Sequence, residues 1–105
     1  MERVAWKGRI LPGKKDEYIK RHNNIWPEMK EVLKKAGISN YTIWTDGDIL
    51  FGYYECEFGK EFANKVQVDS PIVRKWEEYM KDVLLFEEID EDAAQPQLEQ
   101  VFFLE

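Results

Sequence analysis

Residues 49–57, Ile-Leu-Phe-Gly-Tyr-Tyr-Glu-Cys-Glu, restrict the folds open to this chain more than any other stretch. As a strand they place Phe51 and Tyr53 on one face, and Leu50, Tyr54 and Cys56 on the other. A strand apolar on both sides has to be covered on both sides. Asp46-Gly47 stands just before it and is a strong hairpin signal, since glycine tolerates the positive φ of such turns. Residues 39–45 supply the partner strand, with Tyr41 and Ile43 on one face and Thr42 and Trp44 on the other.

The flanking segments supply one cover. Residues 3–11 alternate, Val4, Trp6, Gly8 and Ile10 facing one way and Arg3, Ala5, Lys7 and Arg9 the other. Pro12-Gly13 ends this strand with turn chemistry. Residues 14–36 carry a helical stripe, closed by Gly37 where a helix terminator sits. After Gly59, residues 60–67 fit a short helix burying Phe62 and Val66. Ser70 then reads as an N-cap with Pro71 at the first helical position. The helix that follows is expected to run to about residue 84, with the stripe Val73, Trp76, Met80, Val83 and Leu84, and Tyr79 beside it. Residues 85–97 read as an acidic loop, rich in Glu87, Glu88, Asp90, Glu91 and Asp92, anchored by Phe86 and Ile89 and closed by Pro96. Residues 98–104 read as a last strand.

The order is strand, helix, strand, strand, helix, strand: an α+β chain of the ferredoxin-like βαββαβ pattern. At 105 residues it is expected to be one domain. Its helices can cover only one face of the antiparallel sheet. A second copy of the same sheet is the simplest cover for the other, which predicts a homodimer with twofold symmetry.

Charge and composition exclude several functions. A net charge of −6 and a pI near 4.9 argue against nucleic acid, which needs clustered Lys and Arg. No apolar run approaches the ~20 residues of a membrane span, and Arg3, Lys7 and Arg9 interrupt the only early apolar stretch, so no signal peptide is expected. The single Cys56 excludes an internal disulfide and fits a cytoplasmic home. One histidine and one cysteine make a zinc site implausible, and no carboxylates have the spacing of a calcium loop.

The chemistry concentrates in residues 18–28. His22 is the only histidine. Tyr18 lies four residues earlier, on the same helix face. Pro27 cannot donate to the carbonyl of Asn23 and crowds it, and Trp26 before it is biased away from helical dihedrals. The helix is therefore expected to break there, with Asn23 or Asn24 capping its second segment. Tyr18, His22, Ile25, Trp26, Met29, Val32, Leu33 and Ala36 form one stripe. A lone histidine on such a stripe suits a hydrogen-bonded core residue as well as a catalyst, and chemistry alone leaves both roles open.

The run Tyr18-x-x-x-His22-Asn23-x-Ile25-Trp26-Pro27-Glu28 resembles the L-rhamnose mutarotase family. So do Asn40-Tyr41, Trp76-x-x-Tyr79-Met80, and the ending Leu98-x-x-Val101-Phe102-x-Leu104. The likeness covers nearly the whole chain in order. It implies a dimeric α/β barrel of two ferredoxin-like chains, and an isomerase that interconverts the α and β anomers of a monosaccharide without metal or other cofactor. It also implies that His22 is the general acid and that Tyr18, Tyr41 and Trp76 contact the sugar. One position departs from the pattern: Trp76-Glu77 stands where the family has two tryptophans. Glu77 either pairs with Lys81 on the surface or turns an apolar part of the pocket into a carboxylate, which leaves the sugar open. Glu28 and Asp82 are spare carboxylates able to act as base or to orient His22. Two other functions compete: a cofactor-free monooxygenase, by analogy with other dimeric barrels of this architecture, and a non-catalytic small-ligand-binding domain.

Overall fold

The structure is a computed structural model and describes residues 1–85 and 97–105. Of the expected acidic loop, residues 86–96, with the anchors Phe86 and Ile89, lie outside the described residues, while its two ends, Leu85 and Gln97, fall in short strands instead. The elements follow the order β1 (Glu2–Ile10), α1 (Lys15–Asn23), α2 (Pro27–Lys35), β2 (Ile38–Asp46), β3 (Ile49–Cys56), α3 (Lys60–Asp69), α4 (Pro71–Met80), β4 (Leu84–Leu85) and β5 (Gln97–Leu98).

The sheet runs β2-β3-β1-β4, with every neighbouring pair antiparallel. This is the ferredoxin-like order, with α1–α2 and α3–α4 as the two crossovers. β3 fills one edge of β1, so β4 and β5 share the other. Leu84 opposes Ile10 and Leu85 opposes Arg9, while Leu98 opposes Ala5. The two short pieces run in the same direction along β1 and together take the place of a fourth strand. The strand expected over residues 98–104 is thus confined to a pairing at Gln97–Leu98. Beyond it the chain is irregular, with Val101, Phe102 and Leu104 exposed.

The helices pack on the face carrying Val4, Trp6 and Ile10 of β1 and Leu50, Tyr54 and Cys56 of β3, and close the core with Met29, Ala36, Val73, Trp76 and Met80. The other sheet face presents Trp44, 67% exposed, and its cross-strand neighbour Phe51. Among the described residues, one chain covers one side of the doubly apolar strand.

The helix break occurs where Pro27 demands it. Trp26 is extended (φ −62°, ψ 139°) and Pro27 opens α2. The expected asparagine cap is absent, however. Asn24 closes α1 instead, its side-chain amide donating to the Lys20 carbonyl at 2.8 Å, and no side chain caps α2. Proline needs no partner for a missing N–H, which lowers the demand for a cap. Ser70 does cap α4, its Oγ accepting from the Val73 amide at 3.4 Å.

Two further expectations are corrected. Phe62 is 45% exposed and packs edge-on against Phe58, while Ala63 turns inward in its place. α4 stops at Met80, four residues early. Val83 keeps its buried position from a turn, and its carbonyl accepts from Leu11 at 2.9 Å.

A bulge in β2 decides which way Tyr41 faces. Ser39 opposes Glu55 and Thr42 opposes Tyr53, so β2 holds one residue more than β3 across this interval. Asn40 sits there at φ +51°, a left-handed conformation that asparagine tolerates better than most residues. The extra residue resets the alternation, so that Ile38, Tyr41 and Ile43 all turn toward the helices.

Candidate active site

A cavity of about 410 Å³ lies between the sheet and the helices. Its floor is Trp6, Tyr41 and Ile43. Tyr18, His22, Ile25 and Met29 come from the first crossover, and Trp76, Glu77 and Met80 from α4. The four residues singled out in the sequence (Tyr18, His22, Tyr41 and Trp76) all line this one space.

α1 brings Tyr18 and His22 together because they stand one turn apart; their ring centroids are 4.2 Å apart. His22 Nδ1 lies 3.1 Å from the Tyr18 carbonyl. A carbonyl only accepts, so Nδ1 carries the proton and Nε2 keeps a free lone pair in the neutral ring. Burial pushes the His22 pKa below the ordinary histidine value, and the hydrogen bond to Tyr18 opposes this only in part. The resting ring is therefore neutral near pH 7. Trp76 meets His22 edge-on at 5.5 Å, and Trp26 and Tyr79 pack against Trp76 at 5.1 and 5.7 Å.

Tyr41 is 37% exposed as a residue, but its hydroxyl reaches inward and accepts a hydrogen bond from Trp6 Nε1 at 3.0 Å. Because the oxygen is occupied as an acceptor, the phenol proton is free to be donated. Burial raises the phenol pKa of both Tyr18 and Tyr41, so both stay protonated.

Trp6 reaches Tyr41 only because Gly52 lies opposite it on β3. A Cβ at residue 52 would come within 2.0 Å of the indole. Sequence reasoning placed Trp6 on the buried face but missed its polar role and the dependence on Gly52. Both require the β1–β3 register, which one strand's pattern does not contain.

The spare carboxylates lie elsewhere. Glu28 is exposed on the first turn of α2 and does not line the cavity. Asp82 is held by Arg21, Oδ1 accepting from Nη1 at 2.7 Å and Oδ2 from Nη2 at 3.1 Å. Arg21 Nη1 also donates to the Tyr79 carbonyl at 2.6 Å, and its guanidinium stacks on the Tyr79 ring. Arg21 thus ties the helix carrying His22 to the end of the helix carrying Trp76. The expected Glu77–Lys81 pair is not made: Lys81 bonds Glu78 at 2.6 Å, and Glu77 lines the cavity.

Comparison with known proteins now bears on this arrangement. The model of the L-rhamnose mutarotase family matches residues 3–104. The chain belongs to the L-rhamnose mutarotase family. It is 42% identical over 106 residues to the L-rhamnose mutarotase of Listeria monocytogenes serovar 1/2a, covering 99% of each chain. With that of Burkholderia ambifaria it shares 39% over 107 residues, all of both chains. The crystal structure of the Formosa agariphila L-rhamnose mutarotase superposes with a TM-score of 0.83 at 31% identity, again over all of both chains.

Proposed function

We propose that this protein opens and recloses the pyranose ring of L-rhamnose or a closely similar hexose, with His22 moving the proton and Tyr18, Tyr41 and Trp76 holding the sugar. The reaction class, an isomerase exchanging α and β anomers, follows from family membership. Membership also favours it over the monooxygenase and the non-catalytic alternatives. The observation that supports the roles best is the state of His22: neutral, with Nδ1 engaged and Nε2 available in a cavity walled by aromatic rings.

The chemistry balances on this one nitrogen. Neutral Nε2 takes the proton of the anomeric hydroxyl. The bond between the anomeric carbon and the ring oxygen breaks as the carbonyl forms, and the ring oxygen receives the proton from Nε2–H. The aldehyde turns about its bond to the next carbon, and the same steps in reverse close the other anomer. Both sugar oxygens are bound to one carbon, so a nitrogen in reach of one needs only a small displacement to reach the other. His22 is a base in the first half and the general acid in the second. The free Tyr41 proton can stabilise charge on either sugar oxygen, and Trp76 offers the ring an apolar surface.

The reading takes the 105 residues as one domain, acting in the cytoplasm as a homodimer and without a cofactor. The free, buried Cys56 suits a reducing compartment, and among the described residues no helix is long and apolar enough to cross a membrane. Saturation-transfer NMR tests the activity. With protein added, transfer between the two anomers of L-rhamnose should accelerate, and more than for ordinary hexoses. No acceleration with any deoxyhexose or hexose ends the proposal.

A further inference from the structure

We propose that Glu77 is a substrate-binding residue, its carboxylate accepting hydrogen bonds from sugar hydroxyls, and that it sets which hydroxyl pattern this cavity takes. The inference rests on the sugar-binding reading of the cavity and adds a specificity group to it.

α4 turns one stripe inward: Val73, Trp76, Glu77 and Met80, at the i, i+3, i+4, i+7 spacing of a helix face, all line the cavity. Glu77 is the one charged member of that stripe. It is half-buried, and among the described residues no hydrogen bond or ion pair engages its carboxylate, since Lys81 is taken by Glu78. A carboxylate that loses water without gaining a partner is costly, and here burial raises its pKa, with Arg74 pulling the other way. A ligand that donates hydrogen bonds removes that cost.

The surroundings fit a polyol. Lys30 and Gln67 also line the cavity, from α2 and α3, the two helices that pack with α4. They bring a cation and an amide to the same helix junction. Gln67 already gives its amide to the Ala63 carbonyl at 3.1 Å, which leaves its oxygen as an acceptor. Tyr18, His22 and Tyr41 reach the cavity from α1 and the sheet. The site therefore has two polar sets on different elements: one with the proton-transfer group, and one suited to hydroxyls. Two oxygens of one carboxylate match a pair of neighbouring hydroxyls, as acceptors facing donors.

The test measures anomer-exchange kinetics of wild type, Glu77→Leu and Glu77→Gln on L-rhamnose, and on three analogues each lacking one non-anomeric hydroxyl. Glu77→Leu should raise KM for L-rhamnose about tenfold, the scale of a lost charged hydrogen bond, with kcat nearly unchanged. Glu77→Gln, which keeps shape and one acceptor, should lie between. On an analogue lacking a hydroxyl that Glu77 recognises, the KM ratio of Glu77→Leu to wild type should shrink toward one. Equal KM for wild type and Glu77→Leu on L-rhamnose overturns the proposal, and so does the same KM ratio on every analogue. Should the wild type accelerate no exchange, the mutarotase reading fails by itself, and calorimetric Kd values for the same proteins and sugars decide the Glu77 question separately.

Discussion

His22 answers to two constraints at once. Its Nδ1 is committed to the carbonyl one turn below, which fixes the tautomer, and its ring is buried enough to disfavour charge. Replacing it by alanine should cost about 10² to 10⁴-fold in exchange rate, the usual range for an acid–base group, while Tyr18, Tyr41 and Trp76 continue to bind sugar. A purely structural His22 predicts the reverse, a folded-state loss of about 1–3 kcal/mol from an unmet buried partner with little change in exchange. Rate and urea midpoint measured on the same variant separate the two. The pH dependence carries a sign. The folded pKa is depressed, so between it and the unfolded value of about 6.5 the unfolded chain binds more protons, and stability rises with pH. The contribution is complete above about pH 6.5 and is lost as pH falls through the depressed value. Exchange should follow, since protonated Nε2 has no lone pair with which to begin. An NMR titration placing the His22 pKa above that of free histidine would contradict both statements.

The elements that hold these residues depend on two local departures from regularity, Asn40 and Gly52. Asn40 supplies the extra residue that turns Tyr41 inward, and Gly52 leaves room for Trp6 to reach it. Gly52→Ala should push the indole off β3. Overpacking of this kind costs about 1–3 kcal/mol, and here it should also weaken sugar binding by freeing Tyr41. A variant with wild-type urea midpoint and sugar Kd would show that the indole has another place to go. The same elements show what a sequence can reveal. Pro27 announces the helix break and Ser70-Pro71 the start of α4, because both act through their own backbone. Tyr18 and His22 were legible as a pair because helical spacing alone joins them. Phe62 misled, since a short amphipathic segment fits two rotations and the smaller Ala63 took the inward one. The end of α4 misled too, because Val83 and Leu84 keep their apolar positions in a turn and a strand as well as in a helix. Trp6 with Tyr41, and Arg21 with Asp82, are contacts across 35 and 61 residues, and no local pattern records them.

At the scale of the molecule, among the described residues, the sheet has one face under helices and one without. That second face carries the exposed Arg3, Lys7 and Arg9 of β1, and apolar rings stand beside them. Trp44 stands on it 67% exposed, with Phe51 directly across the strand pair, and the apolar Val101, Phe102 and Leu104 follow β5. The Arg3 guanidinium lies 3.9 Å from the Phe103 ring centroid, which sets the end of the chain beside the same face. Exposed rings such as Trp44 and Phe51 mark a candidate interface, and sheet-on-sheet packing of two copies is the symmetric way to bury them. Sedimentation at micromolar concentration should therefore give twice the 12.6 kDa of the chain. Trp44→Glu should shift it to monomer, because in a twofold interface one substitution places two charges in the buried patch. The cavity residues lie on the opposite side of the sheet, so the monomeric variant should keep most of its exchange rate per chain. A wild-type monomer refutes the dimer. A Trp44→Glu protein that stays dimeric moves the interface away from this face, and one that is monomeric and inactive makes the second copy part of the catalytic site.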